Sequence, residues 1–307
     1  MVGRIVEVAS EGCHLSIDRG FLVASHHGTE RARTPIDDID GLISAAHGLS
    51  FSANVLVALA ERGCPVVLCG PKYRPDAIVW PLHGHHRAAA RLSAQVEASL
   101  PLRKRLWRDI VRAKIASQSR VLESLDRNSV PLERMRDKVR SGDPSNCEAQ
   151  AARYYWSVLM GPQFRRDVEG DGANALLNYG YAVLRAAVAR HVAASGLHPN
   201  VPLHHANEQN PLRLADDLLE PFRPLADACV VRLLGAGTAS LDMPAKRALG
   251  SMPSRVLECA DGRHPLGVVI SRLCTSLAEV FESKRRTLGL PAWSSAAVTS
   301  FSDAPGG

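Results

Sequence analysis

The segment HHANEQNPLRLADDLLEPFRP, residues 204–224, holds the densest run of groups able to ligate a metal. Asp216 and Glu220 stand four residues apart, and Asp217 and Glu220 three apart. On a helix begun near Pro211, either spacing puts two carboxylates on one face. Paired carboxylates of this kind can hold a hard cation through oxygen. Pro221 limits or kinks the regular helix just after Glu220, because proline has no N–H to donate. A solvated acidic helix face would use the same spacing, so the pair alone does not establish a site. His204 and His205 lie in the polar loop feeding this helix. Adjacent side chains point in different directions, and spacing does not choose between them as a ligand.

A third acidic group, Glu148, sits in PSNCEAQAARYYW. Pro144, Ser145 and Asn146 supply a helix start, and Glu148 falls in the first turn, where the helix dipole favours a carboxylate. That placement has a complete structural explanation of its own. Downstream, FRRDVEGDGANALLNYGY brings Arg165 and Arg166. A helix follows with Asn174, Asn178, Tyr179 and Tyr181, polar for a segment otherwise suited to a core.

The elements that must position these groups divide the chain in two. Short strands are expected at Arg4 to Val8, His14 to Ile17 and Phe21 to Ala24, separated by the turn-like EG and DRG. Ile36 to Ala45 can hold a further strand, and a short helix capped by Ser52 or Asn54 runs through Leu59 to Gly63. CPVVLCG then reads as a buried strand. The Pro-, Gly- and His-containing stretch 71–86 separates this part from Ala-, Leu- and Arg-rich sequence with apolar residues at helical spacing, as in Leu102, Leu106, Ile110 and Ile115. Helices are expected at 147–160, 172–194, 212–234 and 266–286. The end, 290–307, lacks periodicity and reads as a mobile tail. The expectation is thus two-domain α+β: a small mostly-β domain over 1–82 and an all-α domain over 83–307.

The chain has 307 residues and a net charge of +6, unevenly placed. Residues 1–80 carry 7 basic and 9 acidic side chains, leaving 30 basic and 22 acidic for the remainder, so a polyanion-binding surface belongs to the second part. Residues 101–140 hold 12 Lys or Arg against 5 acids, with Arg103, Lys104, Arg105, Arg108, Arg112 and Lys114 close together and suited to phosphate contact. No apolar run approaches the ~18 residues of a membrane span. Glu7 and Glu11 stand where a signal peptide would be apolar, which makes a cytoplasmic protein the expectation. Seven cysteines form no CxxC pair, consistent with reduced, buried thiols. HGHH at 83–86 lacks carboxylate or thiolate partners and reads as structural. GAGTAS at 235–240 follows no strand and carries only the start of a GxGxxG pattern.

In their order and spacing, CEAQAARYYW, NALLNYGYAVLRAAVARHVAASGLHP, HHANEQN and LADDLLEPFRPLAD resemble the CRISPR-associated endonuclease/integrase that installs new spacers. The likeness covers nearly the whole chain. SFSANVLVALAERGCPVVLCG and WPLHGHHR resemble the form found beside the large single-effector nuclease of type II systems. The resemblance implies a β-sandwich-like N-terminal domain used in dimerisation, an all-helical catalytic domain and a homodimer. It implies metal ligands at Glu148, His205 and Glu220, with Asp217 at a further acidic position lining the site as a candidate fourth ligand and Asn178 and Tyr179 as supporting neighbours. It also implies Mg²⁺ or Mn²⁺, DNA as substrate, and two partners: a small ferredoxin-like second adaptation protein and the large effector nuclease. Arg165, Arg166, Arg103 and Arg105 are the expected DNA contacts. Strand transfer needs no nucleotide, and the chain has no GxxxxGK[ST] loop. A stand-alone metal-dependent nuclease of branched or single-stranded DNA is the alternative.

Overall fold

The computed structural model describes residues 4–8, 10–44, 48–70, 75–81 and 85–303. Ten strands and eleven α-helices are described. In the first part, β1 (Arg4–Val8), β2 (Cys13–Asp18), β3 (Phe21–His26), β4 (Thr29–Pro35), β5 (Ile39–Ser44), β6 (Ser50–Phe51), β7 (Val66–Cys69) and β8 (Pro75–Val79) form two four-stranded sheets, with α1 (Ala53–Glu61) beside them. One sheet runs β4-β3-β2-β6 and the other β1-β5-β7-β8. In the second sheet β1, β5 and β7 are parallel and β8 is antiparallel at the edge.

The second sheet is buried on both faces, and strand alternation shows how. Leu42 and Val66 face the core shared with the first sheet, where Leu15, Leu22, Ile36, Val55 and Leu59 are also buried. Their neighbours Ile43 and Val67 face the core of the helical part. A sheet covered on both sides favours apolar residues on both faces, which is why β7 reads as the unbroken run VVLC and Leu42 and Ile43 stand side by side in β5. On β1 the same alternation turns Glu7 toward the helices.

The helical part comprises α2 (Ala88–Glu97), α3 (Leu100–Glu123), α4 (Val130–Lys138), α5 (Cys147–Met160), α6 (Ala173–Ala194), α7 (Arg213–Leu219), α8 (Arg223–Gly235), α9 (Met243–Gly250), α10 (Leu266–Phe281) and α11 (Ser295–Asp303). Helix α6 is apolar around most of its circumference and runs through the middle of the core, as expected of a helix buried on all sides. Helix α3 begins at Ser99, whose hydroxyl accepts from the Leu102 N–H at 3.4 Å.

Two expectations need correction. The second part is not all-α, because β9 (Val256–Cys259) and β10 (Gly262–Pro265) form an antiparallel hairpin. Nor is the described part of the expected tail, 290–303, loose: α11 buries Ala297, Val298 and Phe301, and Arg255 donates to the Phe301 carbonyl at 3.1 Å. Three apolar residues in one short helix are too few to mark a period, yet they suffice once a prepared surface receives them. Of the HGHH run, His83 and Gly84 lie outside the described residues, as do 304–307. His85 accepts from the Arg87 N–H at 3.0 Å and lies 3.2 Å from Arg91, a structural use. All seven cysteines are free thiols. Among the described residues, no helix is long and apolar enough to cross a membrane.

Candidate active site

Three elements converge on one point. Glu148 stands in the first turn of α5, whose start is held differently from the expectation. Asn146 takes the N-cap place in a left-handed conformation, φ 50°, without a side-chain cap. The Asp143 carboxylate caps instead, accepting from the N–H groups of Cys147 and Glu148, each at 2.9 Å. Glu220 follows α7, where Pro221 converts the chain to a single 3-10 turn, Glu220–Phe222, before α8 resumes at Arg223. That turn directs Glu220 inward, leaving its side chain only 5% exposed. The third element, α3, brings Lys114 between the two carboxylates, its Nζ 2.6 Å from Glu148 Oε1 and 2.5 Å from Glu220 Oε2. The second approach is an ion pair without hydrogen-bond angles, so Glu220 Oε2 keeps an unmatched buried lone pair. Arg223 folds back to the other oxygen, Nε to Oε1, at 2.7 Å.

His205 is held by a carboxylate. Its Nδ1 lies 2.7 Å from Asp217 Oδ1, so the ring's orientation and tautomer are set and Nε2 remains for a ligand. Asp217 is fully buried, and its oxygens also accept from the N–H groups of Leu203 at 2.6 Å, His204 at 3.2 Å and His205 at 3.3 Å. Expected as an acidic residue lining the site, it anchors the histidine loop in this structure. His204 stacks flat on Trp107 with ring centres 4.4 Å apart, whereas His205 meets the same ring edge-on at 5.7 Å. Asp216 turns away to Arg185 at 2.7 Å and Asn210 at 2.6 Å. The carboxylate that shares a role with Glu220 is therefore neither member of the DD pair but Glu148, 72 residues earlier in the sequence.

The electrostatics follow from these contacts. Burial alone would raise the Glu220 pKa, but Arg223 and Lys114 outweigh it and hold the carboxyl down at about 2. Burial likewise disfavours the Lys114 ammonium, and Glu220 and Glu148 overcome it, leaving its pKa above the usual value. The hydrogen bond to Asp217 raises the His205 pKa against the opposing effect of burial. Among the described residues, no three His, Cys, Asp or Glu side chains already converge closely enough to hold an ion. At this site Lys114 fills the interval between the carboxylates. The donor set nonetheless suits a hard divalent cation: two carboxylates, an oriented imidazole, and a location that already stabilises buried positive charge.

A family model described as CRISPR associated protein Cas1 matches residues 6–248. The chain belongs to the Cas1 family. It is 40% identical over 235 residues to the CRISPR-associated endonuclease Cas1 of Neisseria meningitidis serogroup C, covering 76% of each chain. A Pyrobaculum aerophilum Cas1 is 29% identical over 293 residues, covering 89% of this chain and 98% of its own. Among solved structures, a casposase bound to its integration product superposes with a TM-score of 0.76 at 20% identity, covering 93% of this chain and 92% of that one. A Cas1 protein from Thermotoga maritima gives 0.72 at 14% identity, covering 93% and 99%. Both structures share the fold seen here, strands in sheets followed by a largely helical part.

Around Glu148 and Glu220 the remaining expected residues separate. A cavity of about 250 Å³ opens beside Glu220, and Lys114, Gln118, Trp156, Arg166, Tyr181 and Arg223 contribute to its lining. Arg166 is fixed there by Asn178 Oδ1 at 2.5 Å and Asn174 Oδ1 at 3.0 Å, so Asn178 positions a cation rather than a ligand. Arg165 lies outside, donating to the carbonyls of Pro162 at 2.8 Å and Phe164 at 2.9 Å. Tyr179 does not support the ligands. One residue along α6 turns it about 100° from Asn178, to another side, where its hydroxyl donates to Glu7 Oε2 of β1 at 2.7 Å. Arg103 is half-buried and Arg105 exposed near the start of α3. They lie roughly 14 to 17 Å along the helix from Lys114 at 1.5 Å per residue, away from the Glu148–Lys114–Glu220 cluster.

Sequence reasoning passed over Lys114 as one of many basic residues and did not single out Arg223 or Asp227. Asp227 is buried at the back of the cavity, accepting from Tyr155 at 3.0 Å and Tyr181 at 2.5 Å. An isolated lysine every turn or two among arginines is a weak signal. An acid on an apolar helix, as Asp227 is in PLADACVV, was the more readable one.

Proposed function

We propose that this chain is a metal-dependent DNA endonuclease/integrase of CRISPR adaptation, inserting new spacers by attack of a prespacer 3′-hydroxyl on a phosphodiester of the repeat. The observation that carries the reading is the convergence of Glu148 and Glu220 on one buried cation position, with His205 oriented by Asp217 beside them. Glu148, Glu220 and His205 would hold Mg²⁺ or Mn²⁺, which when bound supplies Lewis-acid charge to the scissile phosphate.

The chain's own groups do the rest. Glu220 stays ionised under all physiological conditions because Arg223 and Lys114 lie against it. Asp217 holds His205 so that Nε2, not Nδ1, is presented. Arg166 and Arg223 line the adjoining cavity with positive charge where a DNA backbone can lie. Arg165, Arg103 and Arg105 extend that contact over the surface. In the joining step the attacking 3′-hydroxyl loses its proton and bonds to phosphorus, and the displaced 3′-oxygen leaves and takes up a proton. One phosphodiester replaces another, so no nucleotide is consumed.

The reading includes a homodimer formed through the N-terminal part and a small ferredoxin-like second adaptation protein as partner. A solved Cas6-RT-Cas1–Cas2 complex contains a region with this fold, at a TM-score of 0.74 and 14% identity. The type II effector nuclease is a further proposed partner.

The test is strand transfer with purified chain, prespacer duplex and a repeat-containing plasmid, with and without the second protein and with Mn²⁺, Mg²⁺ or EDTA. Covalent prespacer–plasmid products that require metal are expected. Shortened strands without joined products would favour a stand-alone nuclease. Joined products undiminished by Glu220→Gln would refute the site.

A further inference from the structure

The Lys114 ammonium occupies the interval between Glu148 and Glu220 that a cation bridging the same two carboxylates would also need. Its Nζ lies 2.6 Å from one and 2.5 Å from the other, and the side chain is only 14% exposed. Mg²⁺ or Mn²⁺ would require the same oxygens at about 2.0–2.2 Å, and two positive centres do not share so small a gap. With Lys114 and Arg223 against Glu148 and Glu220, the cluster is formally neutral. A divalent ion added to it leaves two positive charges in excess, one of which an incoming phosphodiester offsets.

We infer that Lys114 and the metal exchange places: metal entry displaces the ammonium from the carboxylates into the adjoining cavity, where it meets a DNA phosphate beside Arg166 and Arg223. This rests on the metal-dependent reading given above. Three features of the chain make the exchange workable. Lys114 itself lines that cavity, about 250 Å³ in volume, so its head has space to move without leaving the site. Lysine, unlike arginine, is a compact charge on a flexible stem with rotatable donors, able to change partners by rotamer alone. The neighbouring cations of the same helix are tied elsewhere, Arg112 to the Val139 carbonyl at 2.8 Å and Arg120 to Glu123 at 2.6 Å, leaving Lys114 as the cation of α3 that holds the carboxylates. Metal and DNA binding are then coupled, because each favours the displaced lysine.

The experiment titrates Mn²⁺ into the full chain without DNA, by calorimetry or Mn²⁺ spin resonance, for the unmodified protein, Lys114→Met and Glu220→Gln. Lys114→Met should bind Mn²⁺ on the order of tenfold tighter, since the competing ammonium is gone and the carboxylate pair, with Arg223 still against Glu220, is left with one negative charge uncompensated. With Mn²⁺ saturating, its affinity for duplex DNA should fall with a log–log salt slope shallower by about 0.9, one phosphate contact fewer. Equal or weaker Mn²⁺ binding by Lys114→Met, with binding lost in Glu220→Gln, overturns the exchange and leaves the metal site intact. An unmodified protein that binds no Mn²⁺, or binds it independently of Glu220, overturns the metal reading itself. An unchanged salt slope overturns the transfer to phosphate. If Lys114→Met folds only with Mn²⁺ present, the ion has replaced the ammonium as expected. A variant that stays unfolded with Mn²⁺ makes Lys114 purely structural and refutes the exchange.

Discussion

Two buried carboxylates, seven residues apart around Pro221, contribute to the same cavity and have opposite fates. Glu220 faces Lys114 and Arg223, and its pKa is held down at about 2 in spite of burial. Asp227 faces the hydroxyls of Tyr155 and Tyr181, and burial pushes its carboxyl up to about 6 although both hydrogen bonds oppose the rise. Neutral donors cannot replace the hydration a carboxylate loses on burial, whereas two apposed cations can. The difference separates a carboxylate kept charged by apposed cations from one that closes a polar network between α5, α6 and α8.

The largest break in that comparison should come from Glu220→Gln. It removes the charge but little volume, and strand transfer or nicking should fall by about three orders of magnitude, the several kcal/mol expected of Lewis-acid charge stabilisation. A loss below tenfold in a single-turnover assay would remove Glu220 from the ligand set.

Asp227 should show itself in stability. Its folded pKa lies above the ordinary value of 3.8, so the folded state binds its proton more tightly and stability is highest when the group is protonated. Stability should therefore decline as pH rises from about 4 to about 6, by about 3 kcal/mol for a shift near two units. Glu220 acts in the opposite sense, its contribution present above its ordinary pKa of 4.5 and lost as pH falls toward 2. Urea unfolding at stepped pH should show the decline flattened in Asp227→Asn. An unaltered profile would mean that Asp227 is ionised in the folded protein.

Asp217→Asn tests the orienting role. Losing the charge while keeping the shape should weaken Mn²⁺ binding by about 10- to 100-fold, the usual cost of removing a carboxylate behind a metal-ligating histidine. Binding abolished to the extent seen in Glu220→Gln would instead identify Asp217 as a direct ligand.

The smallest contrast is between adjacent arginines. Arg166→Ala, which empties a position beside Tyr181 and breaks the contacts with Asn174 and Asn178, should lower DNA affinity about tenfold. Arg165→Ala should change it less than about threefold, as for a surface phosphate contact among several. A filter-binding series at fixed salt that reversed this order would move the DNA path away from the cavity.

The elements of the fold were readable wherever a period was long enough. The strands from Arg4, His14 and Phe21 and the helices over 147–160 and 172–194 follow hydrophobic spacing, and the structure has them within a few residues. The β9–β10 hairpin and α11 escaped because four-residue strands and a nine-residue helix carry too few apolar positions to set a period, and neighbours that are distant in sequence stabilise them.

Composition placed the excess positive charge in the helical part, and the order of the motifs pointed to the Cas1 family and, through that resemblance, to Glu148, His205 and Glu220 as one expected ligand set. Only the tertiary structure decided what each neighbour does. Asp217 and Asp216 are consecutive in sequence, yet one anchors His205 and the other pairs with Arg185. Tyr179 and Asn178 lie on different sides of α6, one reaching back to β1 and the other holding Arg166. Lys114 is one of twelve basic residues in its stretch until α3 sets it between two carboxylates. Spacing along one helix specifies which side chains share a face. What they meet there depends on the elements packed against that face, and those come from elsewhere in the chain.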